Sequence, residues 1–446
     1  MILNIQRFVR SLHKRSVQKG WIKLHDIKEA TREKVLLVGC QTKHRTEDRF
    51  HQSMKELAQL TTTAQGEVMT MLYQKRPTMD PATYIGRGKV LELKQLVEEY
   101  AIDLVIFNDE LQASQVRNLS LHISCRIIDR TQLILDIFAR RAQSREGKLQ
   151  VELAQLSYLL PRLMGQGTAL SRLGAGIGTR GPGETQLETD RRHIRRRMDE
   201  IKTQLSSIEQ HRDRYRERRK RNQVLQVALV GYTNAGKSTL LNRLTDANTL
   251  EEDQLFATLD PTTKKLKLPS GLSVLLSDTV GFIEELPTTL IAAFRSTLEE
   301  VREADVILHV IDAADEHHFE QEKTVLRLLD ELHVGDIPVL TVYNKKDKLQ
   351  ANFLPTSSNS SVFISAYLKE DLALLLKKLE QVIMNYMEPY HVRLQASDSH
   401  LLSLCQEKSI ISEKKWLEDV NQYEVKGYVL PTISLAKQLK DVSIQL

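Results

Sequence analysis

Residues Val224–Thr239 read VLQVALVGYTNAGKST and decide the fold of the central part of the chain. The apolar run Val224–Val230 predicts a buried β-strand, and Gly231–Thr239 matches the pattern GxxxxGK[ST] directly before an apolar helix start. Glycines in such a loop let backbone N–H groups turn inward around phosphates. Lys237 then reaches the outer phosphates and Ser238 places its hydroxyl on a magnesium ion. We therefore expect a phosphate-binding loop, or P-loop, between a strand and a helix.

A second apolar strand, in SVLLSDTVGF (Ser273–Phe282), ends in a DxxG pattern. Asp278 is the carboxylate expected to orient magnesium, and the N–H of Gly281 can follow the γ-phosphate. DxxG alone is a weak pattern. It gains weight here because it lies about forty residues after Ser238, at the end of a strand expected beside the first.

The nucleotide base is predicted from the motif that ends a third strand, in VLTVYNKKD (Val339–Asp347). Asp347 can accept hydrogen bonds from N1–H and the exocyclic amine of guanine, whereas adenine has an acceptor at N1 and lacks that amine. A site built for such donors discriminates strongly between bases. In SVFISAY (Ser361–Tyr367), a backbone amide at Ser365-Ala366 could meet the guanine carbonyl. The four elements together predict guanine-nucleotide binding and GTP hydrolysis.

The composition of the 446 residues is that of a soluble globular protein with two to four domains: 41% hydrophobic and 27% charged. No apolar run reaches the roughly 20 residues that span a bilayer. The basic N-terminus lacks the apolar core of a signal peptide. The three cysteines have no spacing typical of a zinc site or a disulfide framework. We expect a monomeric cytoplasmic protein without stable membrane insertion.

The remaining chain is predicted to form three further units around a GTPase domain at residues 223–387. Strand-like and helix-like segments alternate in residues 1–135 and predict an N-terminal α/β domain with parallel strands. Residues 136–222 contain two heptad-spaced apolar stripes and predict an antiparallel helical hairpin. Residues 388–446 predict a small α+β domain with Trp416 and Tyr423 in its core.

The two arms of the hairpin are joined by a glycine-rich segment. The first stripe is Leu149, Leu153, Leu156 and Leu160, ending at Pro161, and the second is Ile194, Met198, Ile201, Leu205 and Ile208. Between them, Gly165–Gly183 holds seven of the nineteen glycines of the chain. Such a loop can approach RNA closely, although a disordered connector would explain the glycines equally well.

Positive charge is concentrated on the second arm of the hairpin. Residues 191–221 contain thirteen Lys/Arg and five Asp/Glu, a local balance of +8 in a chain whose net charge is +5. The bias in sign favours a polyanionic partner over a merely solvated helix face. Six arginines of the hairpin are predicted to contact RNA: Arg162, Arg172, Arg180, Arg195, Arg196 and Arg197. Anionic lipid remains an alternative partner for this arm, and a GTPase-regulated RNA-processing or ribosome-assembly factor is the alternative function.

The chain resembles the HflX family of the translation-factor-related GTPases. The resemblance rests on GYTNAGKST, on DQLFATLDPTT (Asp253–Thr263), on DTVGFI, on NKKD and on the glycine-rich Ser171–Arg192, and it spans about residues 30–390. It implies a ribosome-associated GTPase that binds the large subunit and its RNA and separates the subunits of stalled ribosomes under stress. It also implies that Thr258 ligates magnesium and the γ-phosphate, a choice over Thr262 or Thr263 that the residues alone do not make.

The predicted GTP site draws on all four elements and on the segment around Thr258. Magnesium is assigned to Ser238, Thr258 and Asp278, and catalysis to Lys237, Thr258 and Gly281. The full set is Gly231, Tyr232, Thr233, Asn234, Ala235, Gly236, Lys237, Ser238, Thr239, Phe256, Ala257, Thr258, Leu259, Asp260, Asp278, Thr279, Val280, Gly281, Asn344, Lys345, Lys346, Asp347, Ser365, Ala366 and Tyr367.

Two residues of this site bear on how fast GTP is hydrolysed. Phe282 follows DTVG where many small GTPases have the glutamine that orients water, so intrinsic hydrolysis is expected to be slow. Asn234 occupies a position that coordinates potassium in related GTPases. A turn-favouring residue in a tight loop is an equal explanation.

Overall fold

The architecture is given by a computed structural model with three separate β-sheets. It describes residues 32–163, 182–222, 224–245, 255–283, 300–349, 353, 355, 360–395, 397–418, 420–431 and 434–442, with the side chains of 182–187, 215–222 and 441–442 also outside the description. Within these ranges, no helix combines the length and apolar character needed to cross a membrane.

The N-terminal region is a parallel α/β unit, as predicted from its alternating pattern. Its sheet has the order β2-β1-β3-β4, and all its strand pairs are parallel. The two central strands, β1 and β3, are buried along nearly their whole length, as expected of parallel strands covered by helices. The elements are β1 (Lys34–Gln41), α1 (Glu47–Thr63), β2 (Glu67–Lys75), α2 (Arg87–Glu99), β3 (Leu104–Phe107), α3 (Ala113–Ser120), β4 (Arg126–Asp129) and α4 (Arg130–Arg141).

Two long helices, α5 (Arg145–Leu163) and α6 (Pro182–Asn222), form the hairpin. The two predicted stripes pack on each other, with Leu149, Leu156 and Ile201 buried in their contact. Leu160 is not part of that contact, and α5 continues past Pro161 to Leu163. Two ion pairs show that the helices run antiparallel. Arg197 pairs with Glu152, whereas Arg212, further along α6, pairs with the earlier residue Glu146.

The GTPase region is a six-stranded sheet of order β10-β9-β8-β5-β7-β6 in which only β6 is antiparallel to its neighbour. Since the chain proceeds from β5 to opposite sides of the sheet, the carboxyl end of β5 is where a ligand is expected. The elements are β5 (Gln226–Gly231), α7 (Lys237–Leu244), β6 (Thr262–Lys267), β7 (Ser273–Asp278), β8 (Val306–Asp312), α8 (His318–Glu331), β9 (Val339–Asn344), β10 (Ser361–Phe363) and α9 (Lys369–Met384).

The C-terminal region is a small antiparallel sheet of order β11-β13-β12 with two helices. Its core holds Val392, Cys405 and Val425. Trp416, predicted to lie in this core, is 40% exposed at the edge strand, so that part of the prediction was wrong. The elements are β11 (Glu388–Gln395), α10 (Ser399–Lys408), β12 (Ser409–Leu417), β13 (Gln422–Val429) and α11 (Ser434–Val442).

One apolar cluster joins the N-terminal region, the hairpin and the GTPase region. It includes Phe138 of α4, Tyr158 of α5 and Phe256, just before β6. Helix α5 therefore uses two faces, because its leucine stripe meets α6 while Val151, Ala154 and Tyr158 face the shared cluster. These contacts cross the predicted domain boundaries. The division into four domains stays a prediction.

Candidate nucleotide-binding site

The P-loop is the turn between β5 and α7. Strand β5 ends at Gly231, the loop passes through Gly236, and α7 starts at Lys237. Gly236 has a φ of 94°, and a Cβ there would lie 2.3 Å from the side-chain nitrogen of Asn344. Glycine is thus required at this position by both the left-handed backbone and the close approach of β9. The turn aims the N-terminus of α7 at the space where the predicted phosphates would bind.

Lys237 is buried, and its Nζ donates to the carbonyl oxygens of Gly231 (3.0 Å) and Tyr232 (2.8 Å). Burial lowers the pKa of Lys237 to about 8, and the nearby charge of Asp278 only partly offsets this. Burial likewise raises the pKa of Asp278. A buried ammonium held beside a helix N-terminus is suited to polyphosphate, because an anionic ligand would stabilise its charge.

A cluster of three oxygen-bearing side chains lies beside Lys237. Ser238 Oγ donates to Asp278 Oδ2 (2.7 Å), Thr258 Oγ1 donates to the same oxygen (2.7 Å), and the two hydroxyls are 2.7 Å apart. The other oxygen, Asp278 Oδ1, is buried and has no hydrogen-bond partner within the described part of the chain. Two hydroxyls and a carboxylate with a spare oxygen fit the hard, oxygen-seeking Mg²⁺.

The structure also separates the three candidate threonines. Thr263 Oγ1 pairs with Ser277 Oγ at 2.8 Å within the β6–β7 ladder, and Thr262 is the first residue of β6. Thr258 alone among the three reaches the cluster around Asp278. The role of Thr258 as a magnesium ligand stays a prediction, with which its position beside Asp278 is compatible.

The DTVG segment is bonded directly to the P-loop. Thr279 Oγ1 donates to Leu229 O (2.6 Å), Phe282 N donates to Gly231 O (3.1 Å), and Thr233 N donates to Phe282 O (2.7 Å). Gly281 must be small because a Cβ there would lie 2.8 Å from Thr233 Cα. The Phe282 ring is buried in the cluster shared with the N-terminal region, so it cannot orient an attacking water. The hydrolytic site needs another group to position that water.

The predicted base site is assembled around Asn344. Its Nδ2 donates to Ala235 O (2.9 Å), and its Oδ1 accepts from Ala366 N (3.1 Å), so one side chain joins the P-loop to the Ser365-Ala366 turn. Lys345 Nζ pairs with Asp312 (2.7 Å). Asp347 lies exposed in the 3-10 turn Lys346–Lys348. The elements quoted for guanine recognition therefore meet at one edge of the sheet, although the Ala366 amide is already engaged.

Asp371 was missed by the sequence reasoning. Its carboxylate accepts from Ser365 N (2.8 Å) and from Lys346 Nζ (3.2 Å), and thereby holds the two guanine-site turns together. An acidic residue in the first turn of α9 was the available signal, but it is indistinguishable from an ordinary helix-start preference.

Two residues assigned to GTP turn their side chains towards the N-terminal part of the chain. Tyr232 Oη donates to Glu56 Oε1 (2.6 Å), and Glu56 also pairs with the buried Arg130. Asp260 accepts hydrogen bonds from Gln143 and Ser144. Their roles in GTP binding stay predictions. Glu56 and Ser144 had no signal in the sequence, because each lies more than 100 residues from its partner.

Asn234 has a left-handed backbone, with a φ of 60°, and an exposed side chain. That conformation is expected of a turn-favouring asparagine. Potassium coordination stays a prediction, which equal turnover in potassium and sodium salts would exclude.

The predicted RNA-contacting arginines occupy different environments. Arg195 and Arg196 are exposed on α6, whereas Arg197 pairs with Glu152 across the hairpin at 2.7 Å. Arg162 pairs with Asp129 and Glu110 (3.1 Å each) and lies over the Tyr158 ring. Arg172, Arg180 and most of the glycine-rich segment lie outside the described residues. The first two arginines are therefore the accessible ones of the four that the structure describes.

Comparisons with known proteins match the chain over most of its length. Three family models match in succession: GTP-binding GTPase N-terminal at residues 51–139, GTP-binding GTPase Middle Region at 141–219, and 50S ribosome-binding GTPase at 226–345. The GTPase HflX of Alkalihalophilus pseudofirmus is 57% identical over 418 residues, covering 94% of this chain and 99% of that relative. The GTPase HflX of Caldanaerobacter subterraneus subsp. tengcongensis is 54% identical, covering 76% and 78%.

Among solved structures, the complex of SsGBP with GDP matches with a TM-score of 0.46 and 25% identity. The match covers 78% of this chain and 98% of that one.

Proposed function

The chain belongs to the HflX family of GTPases, and from this premise we propose that it binds the large ribosomal subunit and couples GTP binding and hydrolysis to separation of the ribosomal subunits. GTP hydrolysis is the activity of the family. We assign the metal of the site as Mg²⁺, held by Ser238, Thr258 and Asp278. We place this work in the cytoplasm and assign it to a monomer.

The observation that carries the proposal is the form of the hairpin. Its two apolar stripes pack between α5 and α6, while Arg192, Arg195 and Arg196 remain exposed on α6. A long helical arm with exposed arginines suits the phosphate backbone of RNA. An anionic membrane would also need a free apolar face, whereas the apolar stripe of α6 packs against α5, with Ile201 fully buried in that contact. The matching family model is itself described as a 50S ribosome-binding GTPase.

Mg²⁺ would neutralise charge on the outer phosphates, and the other roles fall to residues of the chain. Lys237 and the N-terminus of α7 hold the phosphates, and Thr258 and Gly281 follow the terminal one. Since Phe282 offers no water-orienting group, the ribosome is assigned the part of completing the site. Turnover by the isolated protein is therefore low.

Co-sedimentation with ribosomes tests the proposed partner. The protein is expected to pellet with 50S subunits in a non-hydrolysable GTP analogue and to remain largely in the supernatant with GDP. The double variant Arg195→Glu/Arg196→Glu should bind more weakly, and the salt dependence of its affinity should be shallower because about two phosphate contacts are lost.

The matched control reverses two adjacent charges elsewhere. Lys264 and Lys265 are exposed on the edge strand β6, so Lys264→Glu/Lys265→Glu makes a comparable change in net charge away from the hairpin. Equal losses in the two double variants would indicate a general charge effect. Equal co-sedimentation with ribosomes in GDP and in the GTP analogue would contradict the proposal.

A further inference from the structure

The segment of residues 255–260, which we name the switch loop, makes contacts on two opposite sides. Phe256 is almost fully buried, and its ring meets the Phe138 ring of α4 edge-on, with centroids 4.7 Å apart. Its backbone φ is 57°, an uncommon value for a bulky residue. Such a conformation persists only when the surroundings impose it, so the packing on α4 holds the loop in a defined path.

Two side chains further along the loop point to different partners. Thr258 Oγ1 bonds Asp278 and Ser238 in the proposed magnesium site. Asp260, two residues later, accepts three hydrogen bonds from the start of the hairpin. Its Oδ2 receives Gln143 N (2.9 Å) and Ser144 N (2.7 Å), and its Oδ1 receives Ser144 Oγ (2.5 Å). The short loop thus connects the phosphate site to the hairpin.

The hairpin end of this connection is the N-terminus of α5. Ser144 Oγ accepts from Gly147 N (2.8 Å), and Ser144 O accepts from Lys148 N (3.1 Å), which makes Ser144 the N-cap residue. A carboxylate at this end is stabilised by the helix dipole. The fit is close, because a Cβ on Gly147 would lie 2.4 Å from Asp260 Oδ1.

We propose that Asp260 is a positioning residue that holds Thr258 in its metal-binding place through the N-terminus of α5 and thereby couples the occupant of the GTP site to the hairpin. In this role Asp260 acts through Thr258, in place of the direct GTP contact that the sequence predicted for it. Because coupling between two sites is reciprocal, an RNA that fixes the hairpin strengthens metal and GTP binding by the same factor by which GTP strengthens RNA binding. The inference rests on the proposed magnesium role of Thr258, but it requires no ribosome.

The magnesium dependence of GTP turnover by the isolated protein is the first readout. Asp260→Asn replaces one acceptor oxygen by a donor and should raise the Mg²⁺ concentration for half-maximal turnover by about 5-fold or more. Gly147→Ala should do the same by crowding Asp260, although alanine favours the helix itself. Ser144→Thr keeps the hydroxyl and should behave as the unmodified protein. Asp336→Asn, at an exposed carboxylate away from the site, is the matched control.

Hydrogen–deuterium exchange of residues 142–147 gives a readout independent of activity. With Mg²⁺ and a non-hydrolysable GTP analogue, the Gln143 and Ser144 amides should exchange more slowly than with GDP, and Asp260→Asn should abolish the difference. Exchange that ignores both nucleotide and substitution would overturn the proposal.

Thr258→Ala separates this inference from the metal assignment. If Thr258→Ala shifts the magnesium dependence while Asp260→Asn and Gly147→Ala do not, the coupling is wrong and the magnesium site stands. If Thr258→Ala causes no shift either, the metal assignment fails as well.

Discussion

Lys237→Ala is expected to lower GTP turnover by at least about 100-fold, the scale of losing one preorganised charge-stabilising donor. The ammonium is buried beside the N-terminus of α7, where, within the described part of the chain, it donates hydrogen bonds to two P-loop carbonyl oxygens. Such an ammonium can form strong charged hydrogen bonds to a phosphate. The methyl group of alanine can form none of them. Turnover is measured as phosphate release at saturating GTP in the presence of ribosomes.

The fold should survive this substitution, because alanine is a good helix former and Lys237 is the first residue of α7. Circular dichroism and thermal unfolding check that point. Lys264→Ala removes an exposed lysine from β6 and should leave turnover unchanged. Turnover by Lys237→Ala close to that of the unmodified protein would remove the P-loop assignment.

Asp347→Asn is expected to shift nucleotide preference from guanine to xanthine. The carboxylate accepts from two guanine donors, whereas an asparagine can accept from N1–H and donate to the carbonyl that xanthine carries in place of the amine. Each lost charged hydrogen bond is worth roughly 1.5–3 kcal/mol, so GTP affinity should fall about 10-fold or more. Competition between GTP and XTP in equilibrium binding measures the change.

The exposure of Asp347 makes this test clean, since its substitution disturbs no core packing. Asp336→Asn changes an exposed carboxylate outside the base site and should bind GTP normally. If Asp347→Asn also keeps its original preference for GTP, guanine recognition must be assigned to another residue.

Much of the fold could be predicted because its signals are local. The alternating strand-like and helix-like segments of the N-terminal region correspond to the parallel sheet β1–β4 and its helices. The heptad stripes of α5 and α6 predicted their mutual packing, because a stripe spaced for a helical partner must be buried against one. Trp416 was placed wrongly because alternation in a strand does not reveal which strand lies at the edge.

The candidate site could be predicted where short sequence motifs define it. It could not be predicted where segments distant in the sequence meet. The P-loop, DTVG and NKKD elements lie at one sheet edge because each follows a parallel strand. Glu56 bonds Tyr232 of the P-loop, Asp371 bonds Lys346 of NKKD, and Ser144 bonds Asp260 of the switch loop, each from a distant part of the chain. A single polar residue in a helix or at its start has many ordinary explanations, so sequence alone could not assign them.

Deletion of the glycine-rich segment of the hairpin separates GTP binding, ribosome binding and subunit separation from one another. Deleting residues 165–183 should leave GTP binding nearly unchanged, because the described nucleotide-site residues begin at Gly231. The deletion should weaken ribosome binding only partly, since the exposed arginines of α6 remain. It should nevertheless abolish subunit separation, because the glycine-rich segment is the part of the hairpin that can approach RNA most closely.

Sucrose-gradient analysis of 70S ribosomes mixed with the protein and GTP tests the central claim most directly. We expect the 70S peak to be replaced by 50S and 30S peaks with the unmodified protein. The peak should persist with Lys237→Ala or with the loop deletion. A 70S peak that remains intact with the unmodified protein and GTP, under conditions where the protein co-sediments with ribosomes, would contradict the account.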